Sequence, residues 1–288
     1  ATYDDHQCSS YDVEACSWSN IPDEDFALAD DNYWTIGQFV WTGFDYLGEP
    51  SPYDTNAWPN HSSMFGIIDL ASIPKDRYYL YRSVWNKKAE TLHILPHWTW
   101  PGREGKVTPV FVYTNHPTAE LFINGKSYGK QSKNNSSLKN RYRLMWMDAV
   151  YEPGEIKVVA YNKDGKAVAE KIVRTAGKPH HIELVSNRNE LTADGKDLAY
   201  ITVKVVDKDG NLCPADSRQI NFSVKGAGKY RAAANGDPTN LEQFHLPKMH
   251  TFNGMLTAIV QSGETAGEIV LTAKASGVKA GNIRIQTK

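Results

Sequence analysis

Between residues 107 and 286 the sequence is a succession of short apolar runs separated by turns, and this pattern limits the possible folds more than any other feature. Val107–Tyr113, Ala119–Asn124, Ile156–Tyr161 and Ala167–Val173 are runs of β type, divided by Asn124-Gly125 and Asp164-Gly165. Those dipeptides favour the positive backbone angles of tight hairpins. Ile156, Val158 and Ala160 fall on one side of their strand while Lys157 falls on the other, which predicts a sheet with one buried face. A second series begins after Gly177-Lys178-Pro179, with His181–Val185, Ala199–Val206, Gln219–Lys225, Met255–Gln261, Glu268–Ala273 and Asn282–Gln286. In it Ile201, Val203 and Val205 alternate with Thr202 and Lys204. Two immunoglobulin-like sandwiches of about 90–110 residues each, over 91–177 and 178–288, are the economical reading. The two series share turn chemistry but no sequence repeat, and no low-complexity linker divides them.

Residues 1–90 have a different texture. Pro22–Asp31 predicts a helix, with Pro22 in its first turn, Asp23, Glu24 and Asp25 at its positive end, and Phe26, Leu28 and Ala29 as an apolar side. Phe39–Trp41 predicts a strand that breaks at Gly43 into a loop carrying Asp45, Glu49 and Pro50. A second helix is expected over Lys75–Trp85, where Tyr78, Tyr81, Arg82 and Trp85 recur at helical spacing. A buried strand ending in aromatic and acidic residues is what the catalytic rim of a (β/α)8 barrel requires. The region holds about one and a half of a barrel's eight βα units. The predicted fold class is therefore multidomain and mainly β: the end of a (β/α)8 barrel over 1–90, followed by two sandwiches.

At 288 residues the chain is long enough for two or three cores. A formal charge of −1, with acidic and basic residues evenly mixed, gives no footprint for nucleic acid or an anionic membrane. No apolar run approaches the roughly 20 residues that span a bilayer. The first residues, ATYDDHQCSS, lack the charged and apolar regions of a signal peptide and read as mid-domain sequence. Of the three cysteines, Cys8 and Cys16 are close enough in sequence to pair, but ordinary thiols are the favoured reading, and no metal-ligand spacing is present.

Several segments also carry a resemblance. QFVWTGFDYLGEP (38–50), WPNHSSMFGIIDL (58–70) and PKDRYYLYRSVWN (74–86) resemble the last strand, loop and helix of the barrel in glycoside hydrolase family 2, which includes β-galactosidases. LHILPHWTWPG (92–102), AELFINGKSYG (119–129) and YEPGEIKVVAY (151–161) resemble the first sandwich that follows the barrel in one bacterial branch. ELTADGKDLAYITVKVVDKDGN (190–211), with NGDP (235–238), resembles that branch's final sandwich. The resemblance implies a retaining hydrolase of terminal β-galactosides; from the residues of this chain no cofactor and no metal are expected. Both catalytic glutamates of the family lie at the ends of earlier strands and have no counterpart here. The chain alone is thus expected to be inactive, with the upstream barrel or another copy of the chain as its partner. A periplasmic or secreted location is suspected from the family alone. The competing readings are a non-catalytic module that binds carbohydrate or a partner, and a parent enzyme for another neutral β-glycoside such as a β-mannoside.

The substrate-binding candidates are Trp41, Asp45, His61, Ser63 and Phe65. The resemblance places Trp41 on the floor of the sugar site, where an indole can stack on the C–H face of galactose; a barrel-core aromatic is the plainer alternative. Asp45 and Glu49 invite comparison with a catalytic pair, which in retaining enzymes stands about 5–5.5 Å apart. They read better as acceptors that order the loop, with Asp45 as a further sugar contact. In β-glucuronidases of the family an Asn-x-Lys before a glycine grips the sugar carboxylate. Before Gly66 those positions hold Ser63 and Phe65, so the resemblance favours a neutral sugar. His61 is either a hydroxyl contact or a solvated loop histidine.

Other features have simpler explanations. Trp98, Trp100 and Trp146 form either a carbohydrate platform or a contact buried against the barrel. Asp207–Asn211 opens like a calcium loop, but its twelfth position is Arg218 where a bidentate Glu is required, so it reads as a hairpin turn. His180-His181 and His245/His250 lack acidic or thiol companions at ligand spacing. Asn134-Asn135-Ser136 indicates an exposed polar loop.

Overall fold

The computed structural model describes residues 9–50 and 58–288, which form a mainly β molecule divided into two units by their internal contacts. The first unit contains residues 9–43, 65–67 and 74–175. The second contains 44–50, 58–64, 68–73 and 176–288. Cys8, and with it any pairing to Cys16, lies outside the described residues.

In the first unit, helices α1 (Pro22–Asp31) and α2 (Asp76–Trp85) occupy the segments their patterns predict. Ile21 gives α1 no side-chain cap, so its start rests on Pro22 and the acidic first turn. The apolar side of α1 differs from expectation: Phe26 and Ala27 are buried, whereas Leu28 is exposed. Phe26 meets Tyr81 of α2 edge-on at 5.1 Å and Tyr142 at 5.2 Å. Asp23 does more than complement the helix end. It is fully buried against Arg143, itself buried, which also donates to the carbonyls of Tyr11 and Asp12.

Strands β1 (Leu92–Leu95), β2 (Val110–Thr114), β3 (Thr118–Ile123) and β4 (Lys126–Ser132) come next. After a short helix α3 (Leu138–Tyr142) follow β5 (Leu144–Trp146), β6 (Glu155–Tyr161) and β7 (Ala167–Arg174). They form antiparallel sheets of order β1-β2-β5 and β4-β3-β6-β7, whose inner residues share one core. Ile94, Val112 and Leu144 come from the first sheet, and Leu121, Ile156 and Val158 from the second. Asn124-Gly125 turns β3 into β4 with φ of 50° and 80°, as a type I′ hairpin demands. Trp98 and Trp146 lie inside this core, so they form no carbohydrate platform; each indole N–H reaches a carbonyl, of Glu152 and Gly129 respectively. Their cover is the sheet pair itself, not a barrel wall.

The second unit holds β8 (His181–Ser186), β9 (Glu190–Leu191), β10 (Leu198–Val206), β11 (Gln219–Gly226) and β12 (Gly228–Ala234). It continues with β13 (Lys248–His250), β14 (Met255–Ser262), β15 (Gly267–Lys274) and β16 (Gly281–Thr287). Sheets of order β12-β14-β10-β8 and β13-β11-β15-β16-β9 enclose an almost wholly aliphatic core, with Ile201, Val203, Leu256 and Leu271 fully buried. Asp207–Asn211 is a hairpin turn after β10. The Asp207 carboxylate accepts from the backbone of Asp209, Asn211 and Gly177 and from the Asn211 amide. Burial opposes its charge, but these bonds outweigh burial and hold the carboxyl down at about 2.

Candidate functional site

In the first unit the backbone of Thr42 links the segments carrying Trp41 and Phe65. Its N–H donates to the Phe65 carbonyl at 3.4 Å, and its carbonyl accepts from Ile67 N–H at 3.1 Å. Phe65 also meets Trp18 edge-on at 5.6 Å. Trp41 precedes a cis peptide to Thr42, and its side chain is 74% exposed. The strand expected over Phe39–Trp41 is absent: residues 38–41 have no strand pairing, and Phe39 is 104% exposed. A parallel strand exists only through bonds to neighbours, and no strand runs alongside 38–41 among the described residues.

In the second unit, pairing starts at Phe44, which forms a parallel bridge with Ile68, while Leu47 forms an antiparallel bridge with Ser62. This brings Asp45, His61 and Ser63 onto two clasped loops. Ser63 N–H donates to the Tyr46 carbonyl at 2.8 Å, and the Ser63 hydroxyl accepts from Tyr46 N–H at 3.1 Å. Asp45 and Ser63 are buried. Glu49 accepts from the Tyr46 phenol, the loop-ordering role expected of it. The His61 ring approaches the Pro59 carbonyl with Nδ1 at 3.0 Å. A carbonyl only accepts, so Nδ1 carries the proton and Nε2 is left as an acceptor in the neutral ring. The backbone of His61 is tied at both ends, donating to the Pro238 carbonyl at 3.1 Å and accepting from Gly48 N–H at 2.9 Å.

Beside His61 and Leu47 the second unit opens into a groove of ≈ 700 Å³. Its floor is the outer surface of the sheet, with Leu198, Ala232 and Ile259 from β10, β12 and β14. Its far wall is the segment 240–245, which includes Phe244 and His245. Bonds from β12 hold that wall and the residue after it: Ala233 N–H donates to the Phe244 carbonyl at 2.9 Å, and the Tyr230 hydroxyl donates to the Leu246 carbonyl at 2.7 Å. None of these wall residues had been singled out for sugar binding from sequence. Phe244 sits in a segment without regular structure, and Arg231, also on the groove, takes its position from an irregularity of β12 that periodicity does not reveal. Among the described residues, no three His, Cys, Asp or Glu side chains converge in a way that would hold a metal ion.

Comparison with known proteins gives these features a context. Residues 182–284 match the model of glycoside hydrolase family 2 C-terminal domain 5, and residues 105–169 match a domain of unknown function, DUF4982. The β-galactosidase BoGH2A of Bacteroides ovatus is 43% identical over 282 residues, covering 98% of this chain and 32% of that protein. A putative β-glucuronidase of Formosa agariphila is 34% identical over 261 residues, or 87% of this chain and 24% of its own length. Among solved structures, a β-glycosidase from Bacteroides vulgatus superposes with a TM-score of 0.87 at 35% identity, covering 97% of this chain and 34% of that one. The chain therefore spans between 24% and 34% of each of these relatives.

Proposed function

Because the chain belongs to glycoside hydrolase family 2, we propose that it is part of a retaining enzyme that cleaves terminal β-galactosides. In this reading residues 1–90 close a (β/α)8 barrel, and 91–177 and 178–288 are immunoglobulin-like sandwiches attached to it. The observation that carries the proposal is the 43% identity, over nearly the whole chain, to a protein named as a β-galactosidase. The sugar contacts proposed with it are Trp41, whose indole is exposed, Asp45, His61, Ser63 and Phe65.

The catalytic carboxylates belong, in this proposal, to the part of the relatives that this chain does not span. Retaining hydrolysis needs one carboxylate to attack the anomeric carbon and a second carboxyl to protonate the leaving oxygen. Glu49 is committed to Tyr46, and Asp45 is buried. Sugar binding without a nucleophile stabilises substrate and transition state alike and does not raise the chemical rate. The purified chain should show no turnover of a nitrophenyl β-galactoside above a buffer blank. Turnover that disappears in Asp45→Asn would overturn the assignment.

The relative named as a putative β-glucuronidase favours a second reading, a uronide-cleaving parent. Against it, Ser63 and Phe65 offer no cation to a sugar carboxylate, and the loss of one charge-assisted bond is worth about 1.5–3 kcal/mol. Comparing kcat/KM for nitrophenyl galactoside and glucuronide, using the complete protein that contains this chain, separates the two. A preference for glucuronide would reject the galactosidase reading. In the same protein Trp41→Ala should lower kcat/KM strongly without unfolding either unit.

A further inference from the structure

The groove on the second unit has features that a wall between two loops does not need. Successive residues of a strand point to opposite faces. Arg231 and Ala232 are consecutive, yet both line the groove. The register explains how: Tyr230 pairs with Val260 and Ala232 with Ile259, leaving Arg231 as the extra residue of a β-bulge. A bulge re-aims a side chain in this way and tends to be placed where that side chain has work to do. The guanidinium of Arg231 is exposed and has no hydrogen-bond acceptor or ion-pair partner among the described residues. The nearby carboxylate, Glu242, is already engaged by the backbone N–H and ring of His250, each at 3.0 Å.

Phe244, which is 39% exposed, lines the same groove on a wall whose backbone is pinned to β12. Leu198, Ala232 and Ile259 give the groove an apolar floor. A pyranose presents an apolar C–H face ringed by hydroxyls, and this combination of an aromatic face, an aliphatic floor and rim donors and acceptors is its complement. Gln243 and His245 add hydrogen-bonding groups. Arg231 and Glu242 bring one formal charge of each sign, so the groove does not select for an anion.

We propose that this groove binds a neutral oligosaccharide, with Phe244 as its stacking surface and Arg231 as its principal hydroxyl donor. The choice of a sugar rests on the glycosidase reading above; the position and chemistry rest on the bulge and the pinned wall.

The test is a titration of the isotope-labelled chain with a β-linked galactotriose, followed by amide NMR. Shifts are expected at residues 231–232 and 240–245, with a millimolar dissociation constant, roughly −4 kcal/mol. Phe244→Ala and Arg231→Ala are surface changes and should each weaken binding about tenfold without moving Tm, equivalent to about 1.4 kcal/mol. Arg284→Ala, on the other sheet, should leave the titration unchanged. No shifts at tens of millimolar sugar, shifts confined to other residues, or tighter binding of a glucuronate-ended trisaccharide would each overturn the proposal. Turnover by the complete protein tests the hydrolase reading separately, so an active enzyme with an empty groove sinks this inference alone.

Discussion

Within the first unit, large apolar side chains stand in two opposite conditions. Trp98, Trp146 and Tyr151 are sealed between two sheets, while Tyr33, Ile36 and Phe39 stand at 96%, 105% and 104% exposure. Composition does not distinguish the groups, since both are runs of aromatic and β-branched residues. What differs is the second layer. Each sandwich strand has a hydrogen-bonded neighbour and a facing sheet nearby in sequence, so its inward side chains are covered by the same unit. Residues 33–39 have neither among the described residues. An apolar run becomes core only where another layer meets it. In the proposed barrel, that layer belongs to βα units that this chain does not supply.

The largest effect expected from this contrast is at Trp98. Trp98→Ala removes a fully buried indole and its bond to Glu152, and should cost about 3–5 kcal/mol in denaturant titrations. A loss below about 1 kcal/mol would mean the sandwich core is loosely packed and the contrast weaker than described. Nearly as large is Arg143→Met, which strands Asp23 as a buried carboxylate and should cost roughly 3 kcal/mol or more. Its pH dependence has a definite sign. Burial, against the opposing pull of Arg143, raises the Asp23 carboxyl above its ordinary value. A raised carboxyl contributes stability that is full below the unfolded pKa of about 3.9 and is lost as pH rises through the folded value. Removing Arg143 raises that value further, so the variant should recover part of its deficit as pH is lowered. A deficit that does not change with pH would show that Asp23 is not the stranded charge.

Asp207 makes the opposite case in the second unit, where its own buried carboxylate is satisfied by bonds from Asp209, Asn211 and Gly177. Its carboxyl is held at about 2 in the folded state. A depressed carboxyl contributes stability that is present above the unfolded pKa and lost as pH falls through the folded one. The second unit should therefore weaken by about 1–2 kcal/mol as pH drops from roughly 4 to 2. Asp207→Asn should flatten that dependence, and an unchanged acid limb in the variant would assign it to other carboxylates.

How much of this was legible in the sequence followed the same division. Helix α1 and the long strands β6, β10, β14 and β15 fall where period and propensity place them, because one side of each is buried and the pattern records it. β4 was missed: an edge strand, KSYGKQS, with no buried residue leaves no alternation to read. β12 was missed because Ala233 is its only buried residue and a bulge interrupts its period. The strand expected at Phe39–Trp41 failed for the converse reason, since its composition is right but the partner is a tertiary fact. Of the proposed sugar contacts, Asp45, His61 and Ser63 lie in loops whose wording carries the family resemblance. Arg231 and Phe244 were not legible, because their convergence depends on a bulge and on backbone bonds from β12 and its Tyr230 to the loop.

The smallest expected effect tests the contrast most directly. Phe39 is fully exposed, so Phe39→Ala removes no buried surface from this chain and should change its stability by no more than about 0.5 kcal/mol. The same substitution in the complete protein is a different experiment. If barrel units cover residue 39, the ring is then removed from a packed environment, and a buried Phe→Ala change costs about 3–5 kcal/mol. The two measurements form a pair whose difference reports the cover, independently of any activity assay. A near-zero effect in the chain together with a loss of a few kcal/mol in the complete protein supports a missing layer over residues 33–41. Equal small effects in both would mean that Phe39 faces solvent in the assembled enzyme, and the barrel assignment of this segment would fall. A large loss in the isolated chain would show that residues 38–41 are already packed, removing the difference from which the comparison began.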